Sequence, residues 1–226
     1  MQGRSCHGDN CLQSISSRWG EMNFKRNLLF LLLAGLFLPV SLSPHAAWEV
    51  KKNEKGIKVA TRKADGYAVE EFKAETTIDI PLPEAVKILK DVPRYKKWMY
   101  RLLKAEIVKE LSPDSKIIYM KIDLPWPAED RDMYIQMSDK VDLEKGIYES
   151  TNTGIDGYPK TDCIRMTNVT FSWILKSSEA DKNKTRVIYT SKGDPAGKLP
   201  SWICNLGNVE NPYQCLYNLR FKYKKN

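Results

Sequence analysis

Residues Ser201–Arg220 read SWICNLGNVENPYQCLYNLR. Trp202, Leu206, Val209, Tyr213 and Leu216 recur at alternating steps of four and three, so they share one side of an α-helix. A helix with so long an apolar stripe must lie against something. Gly207 and Pro212 interrupt the stripe and are expected to kink the helix, glycine by its freedom and proline by its missing amide proton.

What precedes this helix supplies its partner. Gly56–Arg62 (GIKVATR) and Val69–Ile80 (VEEFKAETTIDI) alternate apolar and polar residues in the manner of half-buried strands. Pro81 stops the second. Pro83 and Glu84 then suit a helical first turn, Val86, Leu89 and Val92 share a face, and Pro93 ends the helix. A short second turn carries Tyr95 and Trp98. Strands are expected at Lys104–Glu110, Lys116–Asp123, Met133–Val141, Ile147–Asn152, Cys163–Lys176 and Thr185–Lys192, divided by turn residues. GDPAGKLP (193–200) leads into the final helix. Many strands and one long terminal helix imply an α+β domain, a curved antiparallel sheet wrapped around that helix.

The N-terminus reads as an address. Leu28–Val40 (LLFLLLAGLFLPV) is wholly apolar, Lys25 and Arg26 stand before it, and small residues including Ala46 and Ala47 follow. That is the pattern of a secretory signal. The run is short of the roughly 20 residues that span a bilayer. Residues 1–47 are therefore read as an extension and signal peptide, with Met22 the more natural start, and 48–226 as the functional domain of an exported protein, periplasmic or secreted. An uncleaved anchor is the competing reading.

Removal of 1–47 takes away both histidines, His7 and His45, and leaves Cys163, Cys204 and Cys215 of five cysteines. Without histidine a Ser-His-Asp triad is impossible and the commonest metal ligand is gone. The cysteines lack CxxC spacing, and neither a phosphate-binding loop nor a dinucleotide fingerprint is present. No cofactor, no metal and no catalytic group are expected. Cys204 and Cys215 on one continuous helix would stand ~16 Å apart, too far for a disulfide, which needs about 7 Å. The formal net charge is +8, with 42% hydrophobic and 28% charged residues. The lysines are interleaved with acids, which points to a solvated basic surface that could touch a membrane transiently and argues against nucleic acid.

Four pieces in order carry a family resemblance: Trp98 closing the helical segment; PWPAEDRD at Pro125–Asp132; FSWILK at Phe171–Lys176 followed by TRVIYTSKGDPAGKLPSWICN; and NPYQCLYNLR at Asn211–Arg220. Together they resemble the START family, the steroidogenic-acute-regulatory-related lipid transfer domains, from about Trp48 to the end, and look most like its exported bacterial members. The resemblance implies a helix-grip fold like that of Bet v 1, with an apolar cavity under the last helix and a bound lipid or sterol-like molecule. It also implies a gate loop at Leu124–Asp130. Arg131 would then point into the cavity, with Glu106 as its partner, and that pair would either greet a polar group of the ligand or simply brace the fold.

Met120, Met133, Ile135, Met137 and Met166 are candidate cavity residues, since thioethers adapt to irregular ligands; ordinary core packing is the competing reading at each. Trp126 in the gate loop would face lipid, a membrane, or the sheet. Trp202 and Leu206 would close the cavity from the helix, Trp202 and Trp173 also serving as anchors. Asn205 is expected to bond locally. The function so implied is carriage of a hydrophobic ligand without chemistry; the alternatives are an envelope protein-interaction module or a cavity enzyme of the polyketide-cyclase kind.

Overall fold

The computed structural model describes residues 46–126 and 128–223. The signal-like run and Met22 lie outside them. Among the described residues ten strands form one sheet: β1 Glu49–Glu54, β2 Ile57–Arg62, β3 Glu71–Ile78, β4 Leu102–Ser112, β5 Ser115–Ile122, β6 Arg131–Asp142, β7 Ile147–Ile155, β8 Ile164–Arg165, β9 Val169–Ser177 and β10 Thr185–Gly193. Their order is β1-β2-β3-β10-β9-β7-β6-β5-β4, every neighbour antiparallel, with the two-residue β8 pairing parallel to β6. β3 joins β10 from Ile78↔Thr185 to Phe72↔Ser191, so the seam unites the two ends of the domain.

α1, Leu82–Lys90, buries Leu82, Ala85, Val86 and Leu89 at helical spacing and carries Pro83 in its first turn. A 3₁₀ turn, Val92–Lys97, delivers Tyr95 and Trp98 to the core. There Trp98 meets Tyr95 and Trp173 edge-on, at 5.4 Å each, and Trp173 stacks on Tyr189 at 3.8 Å. α2, Ser201–Tyr217, packs against β1, β2 and β3 and continues into a wider turn, Asn218–Lys222.

The sequence reading of the strands changes in two places. The strand expected over Cys163–Lys176 is two, β8 and β9, with Met166–Asn168 between them. Gly193 relieves the crowding there: a Cβ on it would stand 2.8 Å from the Val169 Cα. β1 has no counterpart in the sequence reading, because Glu49–Glu54 is almost wholly polar and exposed. The helix reading stands in extent: α2 is unbroken through Gly207 and Pro212, and Cys204 and Cys215 are both free, as a continuous helix requires.

The apolar stripe of α2 divides in two. Tyr213 and Leu216 are buried at 5% and 0%, whereas Trp202 and Leu206 are each 64% exposed. The second half grips the sheet; the first half overhangs a cavity.

Candidate functional site

That cavity has a volume of about 820 Å³, toward the upper end of the roughly 300–1,000 Å³ typical of ligand pockets. The segment after β5 contributes Leu124, Pro125, Trp126 and Ala128. Met166 and Val169 line it from either side of the β8–β9 break. The segment before α2 adds Pro195, Leu199 and Pro200, and α2 itself Ile203, Cys204 and Leu206. Trp126 is 92% exposed, a large apolar side chain with little protein around it.

Arg131 begins β6 and is 2% exposed, yet forms part of the cavity wall. Its Nε donates to the Pro195 carbonyl at 2.8 Å, Nη1 to Glu129 at 2.5 Å and Nη2 to Ala196 at 3.0 Å. The GDPAG stretch is shaped to present two of those carbonyls, Pro195 and Ala196. Asp194 Oδ1 accepts the Ala196 N–H at 2.8 Å, as an Asx turn does, and both Ala196 and Gly197 have left-handed backbone, at φ 56° and 71°. A Cβ on Gly197 would meet Ile164 at 3.0 Å and the Arg131 guanidinium at 3.2 Å. Burial pulls the Arg131 pKa down and the charge of Glu129 opposes the pull; an arginine stays cationic regardless.

Asp132 faces a separate network and is fully buried. Arg165 holds it with Nε at 2.7 Å and Nη2 at 3.0 Å, and the Thr161 hydroxyl donates at 2.7 Å. Burial alone would raise the Asp132 pKa, but these donors outweigh it and hold the carboxyl below its usual range. Burial, with the Asp132 charge close by, pushes Tyr119 up to about 12.

The overhanging half of α2 is tied down at few points. Asn205 Oδ1 accepts the Glu70 N–H at 3.0 Å, and Asn208 Nδ2 donates to the Glu70 carbonyl at 2.5 Å. Asn205 thus bonds across 135 residues rather than locally. Lys52 pairs with Glu210 at 2.9 Å.

Of the residues expected at the cavity, Arg131, Met166, Trp126 and Leu206 lie along it. Glu106 does not partner Arg131. It sits on the edge strand β4, 48% exposed at its side chain, paired with Lys104; the guanidinium instead finds backbone carbonyls that no sequence pattern marks as its neighbours. Met120, Met133, Ile135 and Met137 belong to the solid core, exposed by 3% or less, and are not part of the cavity wall. Their strands, β5 and β6, lie beside the β4 edge, and these four side chains pack into the hydrophobic core. Trp202 is not part of the cavity wall and is too exposed to anchor the helix. Sequence reasoning missed Val69, Tyr100, Leu199 and Ile203. Leu199 and Ile203 could have been found, as they flank the first turn of the stripe helix; Val69 was read as the start of a strand that begins only at Glu71, and Tyr100 sits in a turn with no periodic signal.

Comparison with known proteins gives a consistent picture. The family model described as START domain matches residues 39–206. An uncharacterized protein of Pseudomonas aeruginosa is 25% identical over 179 residues, 79% of this chain and 87% of that one. The phosphatidylcholine transfer protein of Bos taurus is 23% identical over 165 residues, 71% of this chain and 76% of that one. Among solved structures, a STAR-related lipid transfer protein fragment from Xanthomonas axonopodis superposes with a TM-score of 0.69 at 25% identity, covering 76% of this chain and 96% of that fragment.

Proposed function

The chain belongs to the START domain family, and on that premise we propose that it binds a lipid in the cavity beneath α2 and carries it without chemical change. The observation that carries this reading is the cavity itself: about 820 Å³ with a largely apolar wall from four segments. Burial of apolar ligand surface is worth about 25 cal/mol per Å², enough to hold a lipid and still release it.

The ionisable groups at the wall are arranged for holding rather than reacting. Arg101 is paired with Asp123 at 2.7 Å and Glu210 with Lys52. Burial raises the Cys204 pKa, outweighing the lowering effect of Arg131, so its thiol stays protonated and a poor nucleophile. Access runs beside Trp126 and the overhanging turn of α2. We place the membrane contact there, with Trp126 and Trp202 entering the interfacial layer where indole is favoured. Export belongs to the same reading and rests on the Leu28–Val40 run; sequencing the protein from its native envelope should return Trp48 as the first residue.

The direct test is mass spectrometry of the folded protein from its native envelope, purified without detergent, before and after solvent extraction. A stoichiometric adduct that extracts as lipid is expected. A bare mass, with no uptake from mixed liposomes, would overturn the carrier reading in favour of a protein-interaction module or a cavity enzyme.

A further inference from the structure

We propose that the cavity selects lipids bearing an anionic head group, a carboxylate or a phosphate monoester, and that Arg131 receives it; this rests on the lipid-binding reading above. A guanidinium presents five N–H donors in a fixed fork. Three are used on the carbonyls of Glu129, Pro195 and Ala196, which leaves one on each terminal nitrogen. Carbonyl dipoles answer hydrogen bonds but carry no net charge. Among the described residues no carboxylate forms an ion pair with Arg131, although it is 2% exposed and at the cavity wall. A buried charge without a counter-charge in contact is costly, and the exposed Glu129 carboxylate acts on it only at a distance. The next residue shows that this fold does compensate such charges: Asp132, equally buried, is matched by Arg165.

The rim repeats the sign. Lys192 and Lys198 also line the cavity, and neither takes part in an ion pair among the described residues. The remaining charged residues of the wall, Arg101 and Glu210, are neutralised by Asp123 and Lys52. The carboxylates of Glu129 and Asp194 stand nearby but do not line the cavity; every uncommitted charge on the wall itself is therefore positive. A neutral sterol or alcohol would use none of them; an anionic amphiphile would use them all. The lysines act from solvent and are screened by salt, whereas Arg131 acts from inside the wall and is screened far less. Rim charges steer the ligand inward, and the buried one fixes which end enters.

The test uses the full chain and two matched pairs of single-chain lipids: oleate against oleyl alcohol, and lysophosphatidic acid against monoacylglycerol. Affinities are read by equilibrium competition against a fluorescent lipid at low salt and at about 0.5 M salt, where screening leaves only a few Å of reach. Each anion is expected to bind roughly 10-fold or more tighter than its neutral partner, as a charge-assisted hydrogen bond warrants, and to keep most of that preference in high salt. The pair with the larger ratio distinguishes carboxylate from phosphate. Lys192→Gln with Lys198→Gln should remove only the salt-sensitive part. Arg131→Gln should bring the ratio to about one, and Arg131→Lys, which keeps the charge but not the fork, should retain part of it. Equal affinity within both pairs for the wild type would overturn the head-group proposal while leaving lipid binding intact. A preference abolished by salt would remove Arg131 from it. Binding of none of the four would overturn the lipid-binding reading as well. These wild-type measurements decide the matter even if a substitution at Arg131 prevents folding.

Discussion

At the scale of single residues, adjacent Arg131 and Asp132 do different work on opposite sides of one strand start. Asp132 is a stability element. Its folded-state pKa lies below its unfolded value, so its contribution is fully present above about pH 4 and is lost as pH falls through the folded value. Asp132→Asn should cost about 3 kcal/mol in urea unfolding at neutral pH, because it leaves Arg165 without its counter-charge. The variant should also lose part of the decline in stability that the wild type shows on acidification below about pH 4. Glu106→Ala makes the contrasting prediction. That residue shares only an exposed pair with Lys104, so its removal should change stability by under about 0.5 kcal/mol and leave ligand affinity untouched. The family resemblance singled out the Arg131–Asp132 step, whose charges need partners once buried. It could not supply those partners. Arg165 and the carbonyls of Pro195 and Ala196 arrive by loop geometry, and no local pattern encodes where a backbone carbonyl will point.

At the scale of elements, α2 is a lever held firmly at one end. Its C-terminal half is buried, while its N-terminal half is secured by the Asn205 and Asn208 contacts to the Glu70 backbone and by Lys52–Glu210. A Cβ at Gly207 meets nothing within 4 Å, so Gly207→Ala gains helix propensity of about 1 kcal/mol without a clash. It should raise stability slightly and slow lipid exchange between protein and liposomes; unchanged exchange would count against a flexing role for this position. Asn208→Ala should do the reverse, speeding exchange severalfold while secondary structure by circular dichroism stays the same. The helix was readable because a stripe at the helical period has few alternatives. Its division into a gripping and an overhanging half was not. Trp202 and Tyr213 fall on the same side of a helical wheel, and only burial in the assembled domain tells them apart. β1 was unreadable for the opposite reason: an edge strand as polar as Glu49–Glu54 has no alternation to see.

At the scale of the whole molecule, the family fold was legible in advance from ordered pieces, none of them specific alone: Trp98, the Pro125–Asp132 stretch, FSWILK, GDPAGKLP and the terminal helix. The cavity was legible in kind but not in place, as Met120, Met133, Ile135 and Met137 show. Methionines suit a lipid and a core equally well, and which of them the core takes is a property of the assembled domain. If the Trp126 side of the molecule meets membranes, Trp126→Ala with Trp202→Ala should weaken binding to vesicles of phosphatidylglycerol and phosphatidylcholine about 10-fold in a flotation assay, with no loss of thermal stability, since both side chains are exposed. The seam between β3 and β10 has a further consequence, in time rather than space. Arg186 and Glu75, which meet across it, stand 111 residues apart. The first three strands therefore emerge from synthesis as a meander with an open edge and wait for almost the whole chain before their neighbour exists. Folding is bound to be slow for the domain's size, the waiting meander is the segment most exposed to aggregation, and a truncation before Thr185 should leave nothing that folds.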